Sequence, residues 1–313
     1  MEKSSVLVTG AAGFVGSRLT EVLLSSGRNV VALDCFLPDL YPAEIKKRRW
    51  DKLDSISGGT LEKVVLDLRK DDLTKLSAYP ITSIINQAAM PGLSSDWSKF
   101  APYYECNLSA LNRLLEFAKT MPIRSFIQAS TSSVYGINAI GDESQETKPT
   151  SPYGVSKLAA EKLLLAYKEW FSVPVKILRY FSIYGPNQRP DMAYAKIIRC
   201  LKDGTPFHIY GNGEQRRSNT FVDDVVDATI LAEAKAEPGD IMNVCGNETV
   251  SLNFAIQILE EISGLSLHRK TEEKRSGDQK DTSGINRFAC EKLDWSSKIG
   301  IREGLKRQFE ESN

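Results

Sequence analysis

The sequence holds only two histidines, His208 and His268, and its five cysteines (Cys35, Cys106, Cys200, Cys245 and Cys290) are scattered with no Cys-x-x-Cys pair. An odd number of dispersed thiols argues against a disulfide framework, and no residue cluster has the spacing of a metal site. These residues are read as structural, and no metal is expected. Long apolar runs are also missing. Nothing approaches the ~18 consecutive apolar residues of a membrane helix. The opening Met1-Glu2-Lys3-Ser4-Ser5 runs straight into a β-type segment and not into the apolar stretch of a secretory leader. A cytoplasmic chain with no membrane partner is expected. Charge of one sign is absent too: 40 Lys+Arg stand against 40 Asp+Glu, which removes the electrostatic reason to expect nucleic acid.

What is present is the make-up of an ordinary folded protein, 313 residues with 42% hydrophobic and 26% charged, enough for one large core or two modest ones. The first half alternates Val- and Ile-rich runs with stretches of helical period, the pattern of βαβ units feeding a parallel sheet. Strands are predicted near Val6–Thr9, Val30–Leu33, Lys63–Leu66, Ser83–Asn86, Ser125–Ala129 and Val175–Leu178. Helices are predicted around Phe14–Ser25, Tyr103–Thr120 and Pro152–Phe171, the last opened by Ser151 before a proline that is harmless in a first turn. After residue 180 Gly and Pro clusters separate shorter elements, as in a smaller, less regular lobe. The charge runs Lys46-Lys47-Arg48-Arg49 and Arg269–Lys274 read as solvated faces, with a lid as the alternative for the first.

Directly after the first strand comes Thr9-Gly10-Ala11-Ala12-Gly13-Phe14-Val15-Gly16. Glycines allow a sharp turn and close backbone approach to a pyrophosphate, whose charge is favoured by the free N–H groups opening the helix at Phe14 and Val15. The second strand ends in Asp34, about the ~20 residues on where an acid binds a ribose 2′-OH and repels a 2′-phosphate. NAD is therefore expected over NADP. Asp67-Leu68, ending the third strand, either sets a carboxylate beside the adenine amino group or is a plain loop acid.

In Ser151-Pro152-Tyr153-Gly154-Val155-Ser156-Lys157, Tyr153 and Lys157 stand at i and i+4 on one helix face. A phenol titrates near pH ~10, so using it as a base near neutrality takes roughly 4 kcal/mol of preferential phenolate stabilisation. A fixed ammonium and the positive ring of an oxidised nicotinamide can share that task. The fifth strand runs into Ser130-Thr131-Ser132-Ser133, a hydroxyl loop at the carboxyl edge of the sheet, where open α/β sheets bind ligands.

Gly10-x-x-Gly13-x-x-Gly16, Asp67-Leu68, Ala88-Ala89, Asn107, Ser130-Thr131-x-x-Val134-Tyr135-Gly136, Tyr153-x-x-x-Lys157 and Tyr184-Gly185-Pro186 together resemble the extended short-chain dehydrogenase/reductases, specifically nucleotide-sugar epimerases and dehydratases. The resemblance covers essentially the whole chain. It implies an α/β fold, a Rossmann-type doubly wound parallel sheet over residues 1–180 that binds NAD. A smaller C-terminal lobe over residues 181–313 would bind a UDP-sugar, with the chain crossing back between lobes, and a homodimer is expected. It implies Thr131, Tyr153 and Lys157 as the catalytic set and Asn107 at a supporting helix kink. Contacts to NAD would come from Gly10, Gly13, Phe14, Val15, Gly16, Asp34, Asp67, Leu68, Ala88, Asn107, Tyr153 and Lys157. Asn86 departs from the family's usual histidine.

Members that eliminate water carry Asp-Glu directly after the threonine, and decarboxylating members carry a glutamate at the place of Ser133; this chain has Ser132-Ser133. Epimerisation remains. The run Gly185-Pro186-Asn187-Gln188-Arg189-Pro190-Asp191-Met192-Ala193 is similar to that of UDP-glucuronate 4-epimerases. Arg189 with the hydroxyls of Ser132, Ser133 and Ser182 would satisfy a sugar carboxylate. The alternative for Arg189 is a structural salt bridge with Asp191. By the same resemblance Arg217, Arg275 and Asp278 would hold the diphosphate and ribose, although Arg217-Ser218-Asn219-Thr220 replaces the more usual Arg-Asp-aromatic-Thr. Other readings stay open: a 4-epimerase of neutral UDP-hexoses or N-acetylhexosamines, a decarboxylase, or a non-catalytic NAD-sensing protein.

Overall fold

The computed structural model describes residues 4–38, 41–92, 96–273 and 279–312. Its centre is a set of parallel strands whose near-continuous aliphatic runs reflect burial on both faces. Along the first half the chain forms β1 (Ser5–Thr9), α1 (Phe14–Ser25), β2 (Asn29–Asp34), α2 (Ala43–Lys52), β3 (Leu61–Val65), β4 (Ile81–Asn86), α3 (Ala101–Tyr104), α4 (Ala110–Ala118), β5 (Ser125–Thr131), α5 (Pro152–Phe171) and β6 (Val175–Tyr180). The order across the sheet is β3-β2-β1-β4-β5-β6, reversing between β1 and β4. That reversal opens a crevice at the carboxyl ends of β1 and β4, where the glycine turn lies. One face packs on Leu19, Leu23 and Leu24 of α1, the other on Leu111, Leu114 and Leu115 of α4 and Leu164 of α5.

Beyond β6 follow β7 (Ser182–Tyr184), α6 (Ala193–Asp203), β8 (Phe207–Tyr210), β9 (Arg216–Phe221), α7 (Val222–Lys235), β10 (Ile241–Val244), β11 (Thr249–Ser251), α8 (Leu252–Ser263), β12 (Arg269–Glu272), β13 (Asp281–Thr282), α9 (Arg287–Leu293) and α10 (Ile301–Glu310). Strand β9 pairs with β7, β11 and β13, and β8 with β12. Tyr184, Tyr194, Ile197, Phe207, Phe221, Ile256 and Leu305 form a separate aromatic-rich core there. The second half also returns to the large sheet. Strand β10 adds a seventh parallel strand on β6, with Ile241 opposite Ile177 and Val244 opposite Tyr180, while α7 and α9 cover the α1 face.

Three local expectations are corrected. Strand β3 begins at Leu61 and ends at Val65, so Asp67 lies in the turn beyond it, although the Leu66 N–H still donates to the Asp34 carbonyl. The helix expected over Tyr103–Thr120 is interrupted by a wide turn over Glu105–Ser109 and ends at Ala118. Asn107 sits in that wide turn and makes three buried tertiary hydrogen bonds, described below. The run Lys46–Arg49 is not one solvated face, because Arg49 is 7% exposed.

Helix α5 starts where expected: the Ser151 hydroxyl accepts the Gly154 N–H at 3.1 Å, and Pro152 occupies the first turn. Ser151→Ala should lower the unfolding free energy by about 1 kcal/mol, the scale of a lost N-cap. Urea titration checks this, and an unchanged midpoint would show that Pro152 alone sets the helix start.

Candidate active site

Gly10 has φ +67, a left-handed backbone suited to glycine, and a Cβ there would lie 2.9 Å from the Ala88 nitrogen. At Gly16 a Cβ would stand 2.1 Å from the Gly10 carbonyl oxygen, so α1 abuts its own preceding turn. No side chain caps the start of α1, and no acid lies in its first turn. The N–H groups at Phe14 and Val15 thus have the setting an anion needs. Asp34, buried at the end of β2, accepts the Ala12 N–H (3.0 Å) and the Phe36 N–H (2.8 Å), which locks its carboxylate against the turn. It joins no ion pair among the described residues, leaving lone pairs for a ribose diol. These features fit NAD. Asp67 is held differently. Arg69 grips both oxygens (2.9 and 2.8 Å) and keeps the carboxyl below its usual range, so an adenine amino group would share an acid already paired. Leu68 is buried, with its carbonyl accepting from Arg113.

The departure at Asn86 has a structural use. Thr9 donates to the Asn86 Oδ1, Asn86 donates to Gln128 at 2.8 Å, and the Ala88 N–H returns to the Thr9 hydroxyl, stitching β1, β4 and β5 together beneath the turn. Asn107 accepts the Met90 N–H (2.8 Å) and donates to the Met90 carbonyl (3.1 Å) and the Ser156 hydroxyl (2.9 Å). It fastens the wide turn to α5 one residue before Lys157.

Tyr153 is half-buried, against Tyr103 with ring centroids 6.3 Å apart. Burial pushes its phenol above the ordinary value, while a hydrogen bond with Thr131 and the charge of Arg189 draw it back. Lys157 is fully buried and donates to the Ala129 carbonyl; burial pushes its pKa down to about 8, against a smaller opposing pull from Glu161. Glu161, one more turn along α5, is engaged by Arg179 from β6 (3.0 and 2.7 Å) and by Ser130. Arg179 also donates to Tyr135, whose hydroxyl donates to Asn243 on β10. The polar stripe Tyr153, Lys157, Glu161 keeps the i+4 spacing already visible in the sequence, and that spacing could have revealed Glu161. Tyr103 and Arg179 carried no such signal.

Thr131 accepts the Ser133 N–H (3.1 Å) and donates to the Ser133 hydroxyl (3.2 Å), in a tight helical turn over Ser132–Tyr135 that buries both serines. Ser182 and Arg217 share a cavity of about 180 Å³ with Gln188, Met192, Tyr194 and Asn219. Arg217 donates to the Gln279 carbonyl at 2.6 Å. The unusual Ser218-Asn219 pair is accommodated: Ser218 donates to the Gly246 carbonyl, and Asn219 accepts the Tyr194 hydroxyl. Arg189 forks onto Asp191 through Nε (3.0 Å) and Nη2 (2.8 Å), as the alternative reading expected. Its Nη1 makes no bond among the described residues, so the salt bridge does not exhaust the guanidinium. Arg275 and Asp278 lie outside the described residues. Among those described, no group of His, Cys, Asp and Glu is placed to hold a metal, and no helix is long and apolar enough to cross a membrane.

A tyrosine–lysine pair on a helix beside a glycine turn, within a Rossmann-type α/β sheet, is the architecture of short-chain dehydrogenase chemistry, and residues 6–245 match the model of the NAD dependent epimerase/dehydratase family. The chain belongs to that family. It is 36% identical to the uncharacterized UDP-glucose epimerase YtcB of Bacillus subtilis (strain 168), over 97% of this chain and 96% of that protein. It is 32% identical to a UDP-glucuronate 4-epimerase of Thermodesulfobacterium geofontis (strain OPF15), over 96% and 94% of the two chains. Among solved structures, the UDP-glucuronic acid 4-epimerase from Bacillus cereus in complex with UDP-glucuronic acid and NAD superposes with a TM-score of 0.93 at 36% identity, covering 98% of each chain.

The depressed Lys157 carries a pH signature. Its folded pKa of about 8 lies below the ordinary 10.5, so between those values the unfolded chain binds the extra proton and stability rises with pH. Below pH 8 the buried ammonium costs roughly 3 kcal/mol, at ~1.4 kcal/mol per unit. Lys157→Met should therefore stabilise the cofactor-free chain near pH 7, by a margin that shrinks from pH 8 upward. Urea titrations of both forms at pH 7 and 9.5 check this; a constant difference would refute it.

Proposed function

We propose that the chain is a 4-epimerase interconverting UDP-glucuronate and UDP-galacturonate. In this reading residues 1–180 hold NAD, residues 181–313 hold the UDP-sugar, and the enzyme works in the cytoplasm as a homodimer. NAD, when bound, would supply a reversible hydride acceptor for the sugar C4. Tyr153 takes the C4 hydroxyl proton as the ketone forms and gives it back after the ring turns over. Thr131 hydrogen-bonds that phenol, and Lys157 supplies a nearby positive charge. Burial alone drives the Tyr153 phenol the wrong way for a base, so the charges assembled around it are what make it usable.

The observation carrying the uronate assignment is Arg189. Its charge bears on the Tyr153 phenol, and its Nη1 remains open after Asp191 has taken the other edge. A carboxylate on C5 lies one carbon from the reacting C4, within the same neighbourhood. Ser132, Ser133 and Ser182 add hydroxyls, and Arg217 serves the diphosphate together with Arg275 and Asp278. Two similar proteins named as UDP-glucuronate or UDP-glucuronic acid 4-epimerases support this reading. A neutral UDP-hexose is the second reading, supported by the Asp191 that already neutralises Arg189 and by the name of the Bacillus subtilis relative.

Incubation with UDP-glucuronate, UDP-glucose and UDP-N-acetylglucosamine, with chromatographic separation of products, tests the choice. Turnover confined to neutral sugars would overturn it. Tyr153→Phe should cut turnover by at least the 10²–10⁴ expected of acid–base catalysis while NAD and UDP-sugar binding persist. Arg189→Ala should cost ~2–5 kcal/mol on UDP-glucuronate and little on UDP-glucose, the scale for removing one member of a buried charge pair. The 4-keto intermediate is a β-keto acid, so loosening its carboxylate should also release UDP-pentose products, visible by mass spectrometry. Equal losses on both sugars would make Arg189 architectural.

A further inference from the structure

Thr9, Asn86 and Gln128 stand opposite one another in register across β1, β4 and β5. Two residues earlier on the same strands are Leu7, Ile84 and Phe126, which belong to the apolar core beneath α4 and α5. Side chains two apart on a strand share a face, so a polar row lies directly beyond an apolar one on the side of the sheet where α5 packs. The row is deeply buried, with Thr9 0%, Asn86 3% and Gln128 2% exposed. Polar groups at that depth must answer one another.

They do so in one direction. The Ala88 N–H donates to the Thr9 hydroxyl, Thr9 donates to the Asn86 Oδ1, and the Asn86 Nδ2 donates to the Gln128 Oε1 at 2.8 Å. The Gln128 Nε2 then donates to the Ala129 carbonyl, also at 2.8 Å. The chain begins at a backbone N–H, which can only donate, and ends at a backbone carbonyl, which can only accept. Neither amide can turn over without breaking it. Lys157 donates to that same Ala129 carbonyl, its one hydrogen-bond acceptor among the described residues. A carbonyl oxygen has two lone pairs; Gln128 takes one and leaves the other to the ammonium, with the positive end of its own amide on the same oxygen. Hydrogen bonds aligned head to tail polarise one another, so Thr9 and Asn86 strengthen the donor that competes there with Lys157.

We propose that Gln128 is a positioning residue for Lys157, acting through the Ala129 carbonyl, with Asn86 and Thr9 fixing the direction of its amide. It confines the ammonium to one side of its acceptor and weakens that acceptor's hold on it. The inference rests on reading Tyr153 and Lys157 as the reacting pair and is independent of which sugar is turned over. The buried or half-buried charged and titratable groups on the elements packed about this end of α5 are Tyr153 and Glu161 of α5, Tyr103 of α3, Cys106 of the wide turn, Tyr135 after β5 and Arg179 of β6. The polar row itself contains none, so substituting Asn86 or Gln128 removes no titrating group.

The test follows Lys157 in the full chain, without dinucleotide or sugar, by NMR of lysine labelled with carbon-13 at Cε, the signal being assigned by its loss in Lys157→Met. Pushed down to about 8 by burial, this lysine titrates apart from ordinary lysines at 10.5. Gln128→Met removes the competing N–H and should raise the midpoint by roughly 0.4–1.1 pH units, the scale of one neutral hydrogen bond. Turnover should fall roughly 2- to 12-fold on the same scale, with little change in the KM of the sugar. Gln128→Glu keeps an oxygen for Asn86 but sets a negative charge near the ammonium, and should raise the midpoint further. Asn86→Ser leaves Gln128 in place and frees its amide to turn over; its smaller rise decides the matter should the Gln128 variants fail to fold. A midpoint that holds or falls in the folded variants, or a loss of turnover that follows melting temperature alone, would reduce the row to a structural role. A wild-type chain without turnover would sink the proposed reaction, while the midpoints would still decide whether Gln128 acts on Lys157.

Discussion

The constraint on which the site depends is a lysine ammonium buried at the junction of helix α5 and the sheet. Lys157 has no carboxylate of its own among the described residues: Glu161, the acid nearest along the helix, is taken on both oxygens by Arg179 and is also bonded by Ser130. Were Glu161 free to pair with Lys157, the positive charge would be drawn down the helix, away from Tyr153. Arg179 neutralises the acid and leaves Lys157 bonded to a neutral carbonyl, that of Ala129. A buried ion pair of this kind is weak evidence for stability. Here its effect is positional, since it holds Glu161 on Arg179 and Ser130.

The same economy of charge governs the cofactor and substrate sides. Asp34 is held by two backbone N–H groups and by no cation among the described residues. Asp67 is matched to Arg69, and Arg189 to Asp191 along one edge only. The site thus contains charges deliberately left half-answered beside others that are closed. The half-answered ones are Asp34, Lys157 and Arg189.

Features encoded by near neighbours in the chain were legible from the sequence. Helices Phe14–Ser25 and Pro152–Phe171 have their expected bounds because glycine, proline and a serine cap act within one turn. Periodicity read Tyr103–Thr120 as one helix, and only the resemblance put a kink at Asn107, because the interruption answers to Met90 and Ser156. Arg49 was taken for a surface charge because its three basic neighbours look solvated, and only packing against Tyr41 and Asn187 distinguishes it. Of the choice posed for Arg189, the salt bridge with Asp191 is present and takes one edge of the guanidinium.

The seventh strand bears on how this chain is made. Strand β6 is complete once Tyr180 has been synthesised, but its outer edge is covered only when β10 arrives some sixty residues later, roughly three to twelve seconds at ~5–20 residues per second. During that interval an apolar parallel strand presents unpaired backbone groups at its edge, the situation most prone to pairing with another nascent chain. Lys176 and Arg179 within that strand bring charge to an otherwise aliphatic edge. Arg179, which holds Glu161 and Tyr135 in the finished protein, would then also guard the nascent one against aggregation.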